Sequence, residues 1–414
     1  MSLDFDCIVA GGGHAGCSLA LALRRADPRL RVALIDPSSP GAGDDGRASA
    51  IAAAGRRFFE GLGVWPAMAA AAQPILDMKV TDSRLDDAIR PVFLTFDGTL
   101  ETGEPFAHMI SNAAMVRALL DGAGAAGVEI VMPERVVDFD VDEAAANVRT
   151  ASGRRLRTGL LVAADGVRSR LRDLAGIGVV RRDYGQSGIV TTVAHERPHE
   201  GRAFEHFLPS GPFATLPLVD DAEGRHRSSL VWTEKTAVAD RLVKGDDFTF
   251  GLELERRFGR ELGRLEVLAK PRAFPLGLTL ARDFVRPRFA LVGDAAHGIH
   301  PIAGQGLNIG LRDVAALAEA IVEARRIGLD PGRIDVLEGY QRQRRFDAVE
   351  MGVVTDLLNR LFSNDLPPIR AVRDIGLGVV DRLAGLKRRF IREAAGLDGE
   401  IPSAMRGEDL GRSR

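Results

Sequence analysis

The chain has 414 residues, with 55 basic and 57 acidic side chains and a formal charge of -2. That balance supplies no global field to recruit nucleic acid, and the length suits two closely packed domains plus a tail. With only two cysteines, Cys7 and Cys17, a disulfide framework or Cys-rich metal site is excluded and a reducing compartment is the natural reading.

Met1 to Asp6 runs straight into a strand, so no signal peptide is expected. No apolar run approaches the ~20 residues that span a bilayer, and the expected location is cytoplasmic. Cys7 to Ala10 is apolar and ends at glycines. Ala15 to Arg25 has helical periodicity, and Val32 to Ile35 is a second apolar run. Strand, glycine turn, helix and strand in this order predict a βαβ unit with parallel strands. Its turn, Gly11-Gly12-Gly13-His14-Ala15-Gly16, fits G-x-G-x-x-G directly after a strand. Glycines there let a diphosphate approach the backbone at a helix N-terminus, where free N–H groups favour negative charge. Asp36 follows about twenty residues on, where a carboxylate takes up ribose hydroxyls. Gly11, Gly13, His14, Ala15, Gly16 and Asp36 are therefore candidates for holding an adenine dinucleotide, FAD or NAD rather than NADP. His14 reads as a turn residue within that loop.

Further along, Ile75 to Thr99 and Tyr184 to Pro275 alternate apolar and polar residues, as in Gly188 to Val193 and Ser228 to Thr233. This texture predicts a mixed or antiparallel sheet. Between and after these stretches the first pattern resumes. Leu160 to Ala164 reads as a buried strand ending in Asp165-Gly166, and Phe289 to Val292 as another ending in Gly293-Asp294. A strong helix is predicted from Leu307 to Arg326. From Asp330 onward the chain reads as helical, with basic clusters at Arg342 to Arg345 and Lys387 to Arg392.

The most specific string is Gly293-Asp294-Ala295-Ala296-His297, then Pro301, then Gly304-Gln305-Gly306-Leu307-Asn308-Ile309-Gly310. A strand ends in a carboxylate, followed by a glycine loop and a helix N-terminus. The carboxylate can hold hydroxyls, and the N–H groups can stabilise charge on a ring carbonyl or nitrogen.

These motifs resemble the class A flavoprotein aromatic hydroxylases of the para-hydroxybenzoate hydroxylase type. The resemblance implies that Gly293 and Asp294 hold the ribityl chain of FAD. Gly304, Gly306, Leu307 and Asn308 would line the flavin pyrimidine edge, and Pro301 would border the face where oxygen and substrate meet. It further implies that Asp165 and Gly166 contact FAD and NADH or NADPH, and that Arg47, within Asp45-Gly46-Arg47, lies near the diphosphate or flavin. Asn112 fits the family pattern, whereas Ser111 stands where relatives often carry Glu; Arg117 on the following helix is a cofactor candidate. Tyr184 lies where para-hydroxybenzoate hydroxylase uses a tyrosine to activate its phenol, so phenol partner and packing residue are both open roles.

The expected fold class is α/β. A Rossmann-like FAD-binding domain (1–74, 100–183 and 276–330) carries an inserted mixed β-sheet substrate domain (75–99 and 184–275), followed by a helical C-terminal region (331–414). Strings spread over the chain narrow the resemblance to the ubiquinone-biosynthesis ring hydroxylases. Among them are Leu62-Gly63-Val64-Trp65, Tyr184-Gly185-Gln186-Ser187, Phe207-Leu208-Pro209-Ser210-Gly211-Pro212-Phe213-Ala214 and Thr355-Asp356. That resemblance implies hydroxylation of a polyprenylated phenol by O2, through reduced flavin and a C4a-hydroperoxide, with no metal. Hydroxylation of a soluble unprenylated aromatic acid, or a non-catalytic FAD-binding scaffold, are the alternatives. Ile375 to Ala395 has apolar residues at helical spacing beside basic ones. It suits a helix at the inner membrane face, a helix packed on the body, or a docking face for another quinone-biosynthesis protein; a homo-oligomer is equally open.

Overall fold

The computed structural model describes residues 2–39, 46–85, 92–300, 304–363 and 384–410. Pro301, the Asp45 of the D-x-R segment and all of 375–383 lie outside the described residues.

Two large sheets organise the chain. The first is built on the parallel strands Phe289–Leu291, Arg155–Ala163, Phe5–Ala10, Val32–Ile35 and Glu129–Val131, in that spatial order. An antiparallel hairpin, Val136–Val141 with Ala146–Thr150, extends from the early part of Arg155–Ala163. The central strands are apolar throughout because both faces are covered. Ile8, Val9, Ala33, Leu34, Leu161 and Val162 are fully buried. The helices His14–Ala26 and Gly306–Arg326 pack on this sheet with long runs of buried residues. Each fully buried Leu or Ile contributes about 1.5–3 kcal/mol through removal from water.

The second sheet has nine strands, antiparallel except where Arg202–Leu208 runs parallel to Asp77–Asp82. Its longest strands, Val179–His195 and Arg272–Ala281, run past residues 184 and 275, so the sheet begins earlier and ends later than the alternation alone suggested. Alternation along the strands gives the sheet two different faces. Ile189, Phe213, Leu230 and Trp232 point to one side, where the helices Thr236–Lys244 and Asp247–Phe258 seal them with Leu242, Phe250 and Leu254. The other side, carrying Gln186, Gly188 and Phe274, looks back toward the first sheet.

Two features tie the sheets together. The short strand His297–Gly298 leaves the second glycine segment and pairs with Arg272–Ala281. A three-stranded sheet of Ala48–Ala52, Ala107–Ser111 and Gln73–Ile75 lies between them. The 29-residue helix Ile334–Phe362 then crosses both, donating from Asn359 Nδ2 to Gln186 Oε1 at 2.9 Å and from Tyr340 Oη to the Leu291 carbonyl at 2.7 Å. No described helix is long and apolar enough to cross a membrane.

Candidate functional site

Parallel pairing brings the motifs together. Ala10 is in register with both Ile35 and Ala163, and Ala163 with Leu291. Gly11, Asp36, Asp165 and Gly293-Asp294 therefore leave neighbouring strands at one carboxyl edge, the edge where open α/β sheets bind ligands. The first loop can close only around glycine. Gly11 has φ 122°, and a Cβ there would overlap the Ala164 carbonyl, while a Cβ at Gly16 would overlap the carbonyl of Gly11. The Gly12 N–H donates to Asp36 Oδ2 at 2.6 Å and the Ser38 N–H to Asp36 Oδ1 at 2.7 Å, which locks the loop to the second strand end. Gly13 caps the helix without a side-chain acceptor, is exposed and faces open space, so the first-turn N–H groups are available to an anion.

The second segment abuts the first. Gly293, at φ 59°, takes the place of a side chain that would press on Ala15, and an added Cβ on Gly310 would come within 3.3 Å of the Gly293 Cα. The first turns of both long helices thus converge on the turn that carries Asp294, whose carboxylate is exposed. His14 lies close enough to Asp294 and Arg47 to feel both charges. Burial pushes the His14 imidazole down, Asp294 opposes that and Arg47 adds to it. Three candidates from distant parts of the chain therefore meet at one place. Arg47 also lies over the Phe274 ring at 5.2 Å, which carries the site onto the inner face of the second sheet.

Behind this turn lies a buried polar network absent from the sequence reading. Asp313 Oδ2 pairs with His297 Nε2 at 2.5 Å and accepts the Gly293 N–H at 3.1 Å, and Arg344 Nε donates to Asp313 Oδ1 at 3.0 Å. His297, Asp313 and Arg344 are all fully buried. Burial alone would lower the His297 pKa, but the charge and hydrogen bond of Asp313 outweigh it and hold the imidazole above its ordinary value. Burial likewise opposes ionisation of Asp313, and His297 with Arg344 overcomes it, so the carboxyl sits below its usual range. His297 is thus a structural residue held by the Asp313 side chain. Arg344 belongs to the basic run 342–345, yet it faces inward. The available signal was Asp313, a carboxylate at helical spacing from the buried Ile309, Ala316 and Leu317 of its helix.

Asn308 has its side chain engaged by the protein. Its Nδ2 donates to the Ala50 carbonyl at 2.9 Å, and its Oδ1 accepts the Ala52 N–H at 2.9 Å. It clamps the Ala48–Ala52 strand to the helix N-terminus that carries Gly304, Gly306 and Leu307. Asn112 Oδ1 accepts from Ser49 Oγ at 2.7 Å, and its N–H donates to the Arg47 carbonyl at 2.9 Å, so it positions Arg47. Ser111 caps the Asn112–Ala125 helix by accepting the Ala114 N–H at 3.2 Å. Arg117 is exposed on that helix and makes no ion pair with a described residue.

Asp165 accepts the Leu171 N–H through Oδ2, while its Oδ1 is buried without a partner among the described residues; Gly166 follows at φ 82°. Tyr184 sits on a bulge of Val179–His195 and meets the His300 ring edge-on at 5.3 Å, which brings it beside the second segment. Its hydroxyl is buried near Asp356 without closing a hydrogen bond of ordinary geometry. Burial first, and the Asp356 charge second, push the phenol up to about 12. Asp356 is itself paired with Arg182 at 3.3 Å and Arg360 at 2.9 Å.

The donor set fits a flavin dinucleotide. Two uncapped helix N-termini suit a diphosphate and an electron-poor ring, two strand-end carboxylates suit sugar hydroxyls, and the unpaired Asp165 Oδ1 marks a polar contact that the protein leaves open. Among the described residues no cluster of His, Cys, Asp or Glu is arranged to hold a metal ion.

A family model described as FAD binding domain matches residues 4–351. Over 413 residues the chain is 43% identical to ubiquinone hydroxylase UbiL of Rhodospirillum rubrum, covering 98% of this chain and 93% of that protein. It is 34% identical over 399 residues to the 3-demethoxyubiquinol 3-hydroxylase of Escherichia coli, covering 95% and 98%. In fold it resembles p-nitrophenol 4-monooxygenase PnpA from Pseudomonas putida, with a TM-score of 0.79 over 96% of this chain and 99% of that one at 21% identity. With a family match over most of its length and relatives this similar end to end, the chain belongs to the FAD-binding domain family.

Proposed function

We propose that this protein is an FAD-dependent monooxygenase that hydroxylates the aromatic ring of a polyprenylated phenol in ubiquinone biosynthesis, with NADH or NADPH as reductant. The observation that carries this reading is the 43% identity to a ubiquinone hydroxylase across 98% of the chain. Bound FAD, once reduced, supplies the activation of O2; the chain's own groups bind, orient and exclude water. In this reading the amides of Gly11, Gly13, Ala15 and Gly16 hold the diphosphate, with His14 and Arg47 beside it, and Asp36 holds the adenosine ribose. Asp294 with Gly293 takes the ribityl hydroxyls, and Asp165-Gly166 supplies a further polar contact. Gly304, Gly306 and Leu307 present the helix N-terminus to the flavin pyrimidine, with Asn308 keeping that turn in place, and Pro301 borders the oxygen face. Arg117 contributes at the diphosphate end. Tyr184, protonated at any working pH by virtue of its raised pKa, donates to or receives from the substrate phenol.

The test uses purified holoprotein with a short-chain 2-prenylphenol in detergent micelles. NADH or NADPH oxidation should be stimulated by the phenol, and mass spectrometry should show one added ring oxygen. Disruption of the gene should lead to accumulation of a prenylated phenolic precursor. Turnover of unprenylated aromatic acids alone, or normal quinone levels after disruption, would refute the assignment. The apolar face of Ile334–Phe362 (Phe346, Val349, Val353 and Leu357) is exposed, and this agrees with work at the inner membrane surface, where such a substrate resides. Vesicle co-sedimentation of the full chain measures that association directly.

A further inference from the structure

On the strand Arg202–Leu208, Glu205 is only 7% exposed, yet it makes no hydrogen bond or ion pair with any described residue. An ionised carboxylate withdrawn from water with no partner is costly, and such groups protonate instead. Burial accordingly pushes the Glu205 carboxyl up to about 8, with no neighbouring charge contributing. At neutral pH it is largely a carboxylic acid, able both to donate and to accept a hydrogen bond. A leucine would fill the same place at lower cost, so the fold itself has no use for this carboxyl.

Its position says what does. Glu205 pairs in register with Val80 on one side and Ala214 on the other, and shares a sheet face with Ala203 and Phe207. Phe207 and Val80 belong to an apolar cluster with Leu94 and Phe362. Ala203 belongs to another, against which Met78, Leu216, Ala48 and Ala50 pack. Glu205 thus lies between two apolar patches on the sheet face opposite the one sealed by Ile189, Phe213 and Trp232. Ala50 in turn is gripped by Asn308, so this face leads within one layer to the second glycine segment. Asp82, Ser229 and Thr233 alternate onto the same face and are buried there as well, and a few polar groups set among apolar walls are how ligand pockets fix the orientation of an amphiphilic molecule.

We infer that Glu205 is a substrate-binding residue, its carboxyl exchanging hydrogen bonds with a ring oxygen of the phenol while the flanking apolar clusters take the hydrocarbon substituent. This rests on the hydroxylase reading above, and it adds a specificity determinant far in sequence from every cofactor motif.

The test compares wild type, E205Q and E205L as holoproteins with 2-geranylphenol. Loss of one hydrogen bond from a buried site should lower kcat/KM about tenfold or more in E205L, chiefly through KM and through fewer products per NADH oxidised. The isosteric E205Q, which still donates and accepts, should stay within about threefold of wild type. Bound FAD per chain should be unchanged in both variants, and E205Q should melt no earlier than wild type because the carboxyl has no structural partner. Unchanged KM and coupling in E205L would overturn the inference, and so would earlier melting of E205Q, which would reveal a structural role. Titration of the flavin absorbance with 2-geranylphenol reads binding without turnover. If wild type binds the phenol without hydroxylating it, the functional reading fails, while weaker binding by E205L still supports the role of Glu205 and equal binding refutes it.

Discussion

Replacing Asp313 by alanine tests whether the buried network behind the Gly293-Asp294 turn holds the site in shape. In wild type, Asp313 receives His297 at 2.5 Å, Arg344 at 3.0 Å and the Gly293 N–H at 3.1 Å, with none of the three side chains exposed. The substitution leaves a buried guanidinium short of its principal counter-charge, since Asp347 at 2.5 Å is 21% exposed. It also orphans a ring nitrogen and one backbone N–H. Breaking a buried pair by removing one partner costs about 3–5 kcal/mol, so D313A should unfold at clearly lower denaturant. Because Gly293 immediately precedes Asp294, the same variant should lose FAD on gel filtration. The pH dependence has a defined sign. The His297 pKa is raised from 6.5, so its contribution is complete below that value and fades as pH rises through the folded-state pKa. The Asp313 pKa is lowered from 3.8, so its contribution is present above that value and fades as pH falls through the depressed one. The wild-type advantage over D313A should therefore be greatest between these two ordinary values and narrow on the alkaline side as His297 loses its proton. Equal unfolding free energies to within about 1 kcal/mol, with normal FAD content, would refute the reasoning.

Gly16→Ala places a methyl group onto the Gly11 carbonyl, so the first turn must open and FAD affinity should fall about tenfold or more, measured by flavin fluorescence on titrating the apoprotein. Asn308→Ala strands the Ala50 carbonyl and Ala52 N–H; at about 1–3 kcal/mol for each buried orphan, chemical denaturation should show a clear loss of stability. Tyr184→Phe should lower kcat/KM about tenfold with unchanged FAD content if the hydroxyl meets the phenol, and an unchanged rate with unchanged coupling removes that role.

Much of the cofactor apparatus could be read in the sequence because its causes are local. A loop that must pass the Ala164 carbonyl and turn at once into a helix admits only glycine at 11 and 16, and that constraint shows as a motif. Strand ends, carboxylates and glycines recur at spacings set by the βαβ unit, so Asp36, Asp165 and Asp294 could be singled out before any fold was known. Alternation along Gly188 to Val193 and Ser228 to Thr233 announced the second sheet for the same reason, since period two is a property of the strand itself.

Other features depended on partners distant in sequence. Asn308 carries a family signature, but only packing against Ala48–Ala52 decides that its amide clamps a strand. Arg344 lies in a run of basic residues that looks solvated, and only the packing of its helix turns this one inward onto Asp313. His14, Arg47 and Asp294 become neighbours through parallel pairing and helix convergence, across most of the chain. Glu205 is the clearest case: its alternation predicts a face, but only the tertiary structure decides that the face is buried and the carboxyl without a counter-charge. Sequence alone determined the backbone devices that receive a dinucleotide, because steric limits act over a few residues. Tertiary structure decided which charged groups are paired and which stand alone, because burial and counter-charge are properties of everything that packs around them.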